Sequence, residues 1–175
     1  PLVEVEMEFP FLALLVSGGH TSLYLVRAVG DYSEIAATRD DSAGEAFDKG
    51  AKMLGLGFPG GRIIDQLAKE GRADAVAFPR ARVRADPMAL SFSGLKTALW
   101  DHLQNQGGRE TREDLAASFQ EAIVDVLVAK TMNAVEQTGV EVVAGGGGVL
   151  ANRRLRHRLT EACAARNVRL FLPSP

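Results

Sequence analysis

Two glycine-rich stretches hold the residue types best suited to chemistry. In the first, "LVSGGHT" from Leu15 to Thr21, Ser17, Gly18 and Gly19 stand between two apolar runs. A Gly-Gly pair there suits a two-residue hairpin turn, because glycine supplies the positive φ such turns require. It also suits an anion: bare backbone can approach a phosphate, with N–H groups and the Ser17 hydroxyl as donors. The two readings are compatible. The second stretch, "GGGGVLAN" from Gly145 to Asn152, lies where a strand hands over to a helix, and free N–H groups and the macrodipole there favour negative charge. Asn152 is placed to cap that helix. Arg153, Arg154 and Arg156 follow at once and oppose the dipole, so either a negative group lies close or they are simply solvated. No G-x-x-x-x-G-K-[ST] occurs, so neither cluster is a P-loop.

Carboxylates lie between the two. In "DDSAGEAFDKGAKMLGLGFPGG", Asp40 to Gly61, Ser42 and Glu45 form a capping box, and Asp48 follows Gly44 by one helical turn. Asp48 can accept from a ribose hydroxyl or a base amine, or pair with Lys52 at i,i+4. Asp65, four residues after Gly61, can serve a ribose or simply favour a helix start. The histidines, His20, His102 and His157, have no metal-ligand partner at i+3 or i+4, and H-E-x-x-H is absent. Ser17 and His20 are close only as turn neighbours, so no Ser-His-Asp set follows. "PRARVRADP" brings Arg80, Arg82 and Arg84 into one excursion, suited to RNA phosphates or to a solvated loop.

The elements that must position these residues follow from periodicity. "FLALLVS" reads as a strand buried on both faces, "TSLYLVRAV" as its partner and "EIAATR" as a third, forming a meander. From Asp40 the spacing of Ala43, Phe47, Ala51 and Leu54 predicts a helix closed near Gly55, and a second runs from about Gly61 to Glu70. Residues 71 to 94 form a long excursion without sustained period. Helices follow at about Ser93 to Gln104 and Arg112 to Thr138, the latter with Leu115, Phe119, Ile123, Val126, Leu127 and Ala134 on one side. A strand, the glycine loop, a helix carrying Leu155, Leu159 and Ala162, and a last strand complete an α/β unit.

The chain's 175 residues are 46% apolar and 24% charged, the usage of an ordinary globular domain. Its net charge of −2 gives no global field for nucleic acid, so an RNA contact must be a local patch. One cysteine, Cys163, excludes a disulfide within the chain and a thiolate cluster, and its expected role is packing. No run is long enough to span a bilayer and the first residues lack a signal-peptide pattern, so the expected home is cytoplasmic and no membrane contact is expected.

Together "FPFLALLVSGGHTSL", "DDSAGEAFDKGAKMLGLGFPGG", "SFSGLKTAL" and "GGVLANRRLR", in this order, closely resemble the tRNA N(6)-adenosine threonylcarbamoyltransferase family, once called the glycoprotease family. The resemblance implies an actin-like ATPase (sugar kinase/heat-shock, ribonuclease H-like) fold. It implies transfer of a threonylcarbamoyl group from its adenylate to the exocyclic amine of the adenosine 3′ of the anticodon, with AMP leaving. Nucleotide-contacting positions then fall on Leu15, Val16, Ser17, Gly18, Gly19, Asp48, Gly61, Asp65, Gly146, Gly147 and Asn152. Four glycines, Gly145 to Gly148, stand where the family shows fewer, which leaves open which of them faces an adenine. No role follows for Lys96.

The family also implies one divalent metal, iron or zinc, held by an H-x-x-x-H pair and a distant Asp that this sequence does not contain. Expected ligands are threonylcarbamoyl-adenylate or AMP/ATP, with tRNA at a local basic patch, and expected partners are a paralogous subunit and an ATPase. The chain therefore reads as an internal fragment: residues 1–40 as the remainder of a first lobe, and 41–175 as a helical region and most of a second. By itself it is expected to be inactive. A non-catalytic nucleotide-binding or dimerisation paralogue, and an ATPase or kinase of the same superfamily, stand as alternatives.

Overall fold

The computed structural model describes residues 7–81, 83–105 and 109–174. Three antiparallel strands open it, β1 (Phe11–Val16), β2 (Thr21–Ala28) and β3 (Asp31–Ala37). Four helices follow: α1 (Ala43–Met53), α2 (Gly60–Leu67, prolonged by a 3-10 turn to Glu70), α3 (Ser93–Asn105) and α4 (Arg112–Thr138). The chain ends in β4 (Val142–Gly146), a 3-10 turn (Gly148–Ala151), α5 (Arg153–Ala164) and β5 (Arg169–Phe171). The sheet order is β3-β2-β1-β4-β5, with β4 parallel to both β1 and β5. Strands from before and after residue 40 thus share one sheet: Leu12 pairs with Leu25 on one side and with Val143 on the other.

Two expectations about burial need correction. β1 is not buried on both faces: Leu12, Leu14 and Val16 are at most 1% exposed, whereas Leu15 is 44% exposed. Alternation puts one set into the core beneath the helices and the other on the opposite face. Helix α4, expected to be amphipathic, is buried nearly all round. It lies among α1, α2, α3, α5 and the sheet, so Ser118, Gln120, Glu121 and Thr131 are buried as well as Phe119, Ile123 and Leu127. Each large apolar side chain removed from water there contributes roughly 1.5–3 kcal/mol. Cys163 is part of the same core.

Local chemistry ends the helices where the sequence predicts. The Ser42 hydroxyl accepts from Glu45 N–H (3.1 Å) to start α1, and Gly55, at φ 68°, follows its C-cap. Thr111 starts α4 by accepting from Asp114 N–H (3.1 Å), and Gly139, at φ 69°, closes it. Asp40 starts α3 from a distance. Its carboxylate accepts from the N–H groups of Phe92 (2.8 Å) and Ser93 (3.1 Å) and from both flanking hydroxyls, Ser91 and Ser93. Burial opposes its charge, but these donors outweigh burial and hold the carboxyl below its ordinary range.

Asp114 accepts from the Arg72 guanidinium (2.9 Å) and from Arg72 N–H (2.8 Å). The guanidinium first, then the backbone donor, lower its carboxyl from 3.8 to about 2. The folded state therefore gains from this pair above the ordinary value and loses the gain as pH falls through about 2. Asp114→Asn is expected to lower stability at neutral pH and to flatten the stability curve between about pH 4 and 2. Urea denaturation across that range checks it; an unchanged acid limb contradicts the assignment.

Candidate functional site

The turn between β1 and β2 spans four residues, Ser17 to His20, rather than two. Ser17 N–H donates to the His20 carbonyl (2.8 Å), and the Ser17 hydroxyl oxygen accepts from His20 N–H (3.0 Å) and Gly19 N–H (3.3 Å). Neither Gly18 nor Gly19 adopts positive φ, so the hairpin stands but its two-residue glycine turn is corrected: serine closes a wider turn. Glycine matters instead because α1 lands on this turn. A Cβ on Gly44 would lie 2.5 Å from the Ser17 carbonyl oxygen and 2.7 Å from Gly18 Cα. The α1 start is fully engaged there: Ala43 N–H donates to the Thr21 hydroxyl (2.9 Å), Gly44 N–H to the Ser17 carbonyl (3.2 Å), and the Ser42 hydroxyl to the Gly18 carbonyl (2.7 Å).

Beside this junction lies a cleft of about 880 Å³. Gly18, Asp48, Gly61, Asp65 and Asn152, expected from the sequence, all line it. They come from four separate parts of the chain: the β1–β2 turn, α1, α2 and the cap of α5. Asp48 makes no pair with Lys52. Its Oδ1 accepts from Gly60 N–H (2.7 Å) and so caps α2, whose Pro59 has no capping side chain. Gly60 packs against α1 closely enough that a Cβ would meet Ala51 Cβ at 2.7 Å. Asn152 is buried, with Oδ1 accepting from Leu155 N–H (2.9 Å) and Nδ2 donating to Gln120 Oε1 (2.7 Å). Its amide is thus held in one orientation at the edge of the cleft.

Three of the four arginines of α5 have carboxylate partners inside the chain. Arg153 pairs with Asp65 (2.8 Å), Arg154 with Glu121 (2.7 Å), and Arg158 with Glu121 and Asp125 (3.0 Å to Asp125). The Arg156 guanidinium donates to the carbonyls of Leu150 (3.2 Å) and Pro173 (2.9 Å). Arg80 pairs with Asp125 (2.7 Å), so its charge is met within the chain; Arg84 is exposed, and Arg82 lies outside the described residues.

Other expected positions stand beside the cleft and do not line it. Leu15 and Val16 end β1, and Ser17 and Gly19 shape the turn. Gly145 and Gly146 face Leu150 and Leu15. Gly147, at φ 103°, passes so near β1 that a Cβ would lie 2.2 Å from the Val16 carbonyl oxygen. Among the four glycines only Gly148 lines the cleft, with open space at its Cβ position. Phe47, Pro59, Arg62, Gln66 and Val149 are among the other lining residues, and sequence reasoning did not single them out as site residues. Arg62 carried one readable signal, a cation in the first turn of a helix, as in α5.

For a metal, the described residues offer no set of donors. Among them no three His, Cys, Asp or Glu side chains come together as ligands. His102 faces Glu110 (3.3 Å) and His157 faces Glu161 (3.2 Å). The described residues therefore do not fit the expected ion. Among them, too, no helix is long and apolar enough to cross a membrane.

Comparison with known proteins gives this arrangement its context. Full-length HypF in its phosphate- and nucleotide-bound form superposes over 96% of this chain and 31% of its own, with a TM-score of 0.72 at 12% identity. The activator of 2-hydroxyisocaproyl-CoA dehydratase from Clostridium difficile, with bound ADPNP, superposes over 96% of the chain at a TM-score of 0.55 and 13% identity. These likenesses agree with the actin-like ATPase fold. Among curated sequences, the tRNA N6-adenosine threonylcarbamoyltransferases of Syntrophus aciditrophicus and Geotalea uraniireducens are each 51% identical over 99% of the chain. That of Magnetococcus marinus is 52% identical over 95%. The chain spans about half the length of these relatives, 48% to 52%. The sequence profile of "TsaD: tRNA N6-adenosine threonylcarbamoyltransferase" matches residues 2–175, and with this cleft and fold in place the chain belongs to that family.

Proposed function

We propose that the cleft is the nucleotide-holding part of a site that transfers a threonylcarbamoyl group to the exocyclic amine of the adenosine 3′ of the anticodon in tRNA. In the transfer the amine nitrogen attacks the carbonyl carbon of threonylcarbamoyl-adenylate. The carbon–oxygen bond to the phosphate breaks, AMP leaves with that electron pair, and the amine gives up a proton. The observation that carries this reading is the meeting of Gly18, Asp48, Gly61, Asp65 and Asn152 around one cleft, in a chain of this family. Carboxylates suit ribose hydroxyls, and the fixed Asn152 amide suits a nucleobase edge.

The family's metal, iron or zinc, belongs to this proposal only as an ion held outside the described residues, and no step here is routed through it. A tRNA contact would use exposed cations near the cleft, such as Arg62, rather than Arg80. A paralogous subunit, an ATPase partner and a cytoplasmic home complete the reading.

Calorimetry with AMP and ATP on the 175-residue chain tests it. Saturable binding of AMP is expected, weakened at least about tenfold by Asp48→Ala, with no threonylcarbamoyl transfer by the chain alone. Absence of nucleotide binding contradicts the cleft assignment, and turnover by the isolated chain contradicts the division of the site.

A further inference from the structure

Asp65 and Arg153 form a contact whose geometry exceeds a surface ion pair. Arg153 Nε donates to Asp65 Oδ2 (2.8 Å) while its Nη2 donates to the Asp65 main-chain carbonyl (2.9 Å). One guanidinium thus fixes both the side chain and the backbone of a single residue, which the rigid planar fork of arginine is preorganised to do. The contact crosses the cleft. Asp65 sits on α2 and Arg153 opens α5, two helices that each pack on α4, and both residues line the cavity. Asp65 is only 13% exposed at its side chain, and its Oδ1 accepts no hydrogen bond from the described residues. Arg153 occupies a first-turn position that the macrodipole disfavours for a cation. Helix stability alone does not account for it there.

We propose that Arg153 is a positioning residue: it clamps Asp65 across the cleft so that the remaining carboxylate oxygen presents a fixed acceptor to the ribose hydroxyls, setting the preference for ribonucleotides over deoxyribonucleotides. This rests on the reading that Asp65 faces the ribose of a bound adenine nucleotide. A freely rotating carboxylate would still accept a hydrogen bond, but at the cost of its own rotamer freedom, and the sugar would be read less sharply. Lysine supplies the charge without the fork. It holds the carboxylate and leaves the Asp65 carbonyl unheld.

The test is calorimetric titration of the chain with AMP, 2′-deoxy-AMP and 3′-deoxy-AMP, for the unaltered protein and for Arg153→Ala, Arg153→Lys and Asp65→Asn. Loss of one hydroxyl is expected to weaken binding to the unaltered chain about tenfold, the effect of a hydrogen bond to a charged group. Asp65→Asn is expected to reduce that ratio to about twofold or less. Arg153→Ala is expected to do the same while its affinity for the deoxy compound stays within about twofold, and Arg153→Lys to fall between. Thermal melting of each variant shows whether it is folded, and should Arg153→Ala fail to fold, the Arg153→Lys ratio decides. A ratio kept by Arg153→Ala but lost by Asp65→Asn overturns the clamp and leaves the Asp65 reading intact. Equal weakening of AMP and both deoxy compounds in Arg153→Ala also overturns it, since the arginine would then serve the phosphate or the fold. A ratio unchanged in Asp65→Asn removes the ribose reading and the clamp with it.

Discussion

Replacing Gly147 by alanine is expected to lower the free energy of unfolding by roughly 3 kcal/mol or more. Two effects act together. At φ 103° and ψ 156° the residue occupies a region that side-chain-bearing residues avoid, at a cost on the order of 1–3 kcal/mol. The added Cβ would also sit 2.2 Å from the Val16 carbonyl oxygen and 2.6 Å from its carbon, both backbone atoms that no rotamer change can move aside. Relief requires parting the end of β4 from the end of β1, where Leu15 pairs with Gly146. The same shift would carry Gly148 away from the cleft, so nucleotide affinity should fall with stability. Urea denaturation and AMP titration of the variant check both. A loss below about 1 kcal/mol would mean that this loop moves off β1 without strain.

Asp48→Ala carries the second large effect, and it separates scaffold from ligand contact. Gly60 N–H would lose its acceptor at the start of α2, a change of about 1–3 kcal/mol for a partly buried donor. The α1–α2 corner that walls the cleft would loosen with it. AMP affinity is expected to fall at least about tenfold. Asp48→Asn divides the two roles, because an amide oxygen can still accept from Gly60 N–H while the negative charge is gone. Its stability should stay within about 1 kcal/mol of the unaltered chain. Affinity restored by Asn assigns Asp48 to capping alone; affinity still lost assigns its free oxygen to the nucleotide.

Much of this scaffold was legible because local signals and tertiary demands agree. The Ser42–Glu45 capping box, the Thr111 cap before Arg112, and the glycines at 55 and 139 mark ends that the structure keeps. Burial was less legible where it depends on neighbours. Helix α4 reads from the sequence as apolar on one side, yet Glu121 and Gln120 on it are buried. They are buried because Arg154, Arg158 and Asn152 arrive from a helix beyond the next strand. The site shows the same limit. Sequence reasoning named Asp48, Gly61, Asp65 and Asn152, but it could not see that Asp48 caps α2, that Asn152 is fixed by Gln120, or that Asp65 is met by Arg153. Each of those contacts joins residues brought together only by the packing of α1, α2 and α5 around α4. The glycine turn misled in a different way: Gly-Gly between strands suggested positive φ, but here the Ser17 hydroxyl closes the turn and leaves both glycines in ordinary backbone conformations.

The strand order gives β1 an exposed dependence on the far end of the chain. One flank of β1 is covered locally by β2, but the other waits for β4, with Leu12 meeting Val143 only after four helices have intervened. Any shorter piece that stops before Val142 would leave the backbone donors and acceptors along Leu12 to Leu15 bare, next to the apolar side chains of a central strand. Such an edge is a template for pairing with another molecule. β1 therefore depends on β4 for its second partner, and on α5 behind it, whose Arg154 and Arg158 meet the buried Glu121.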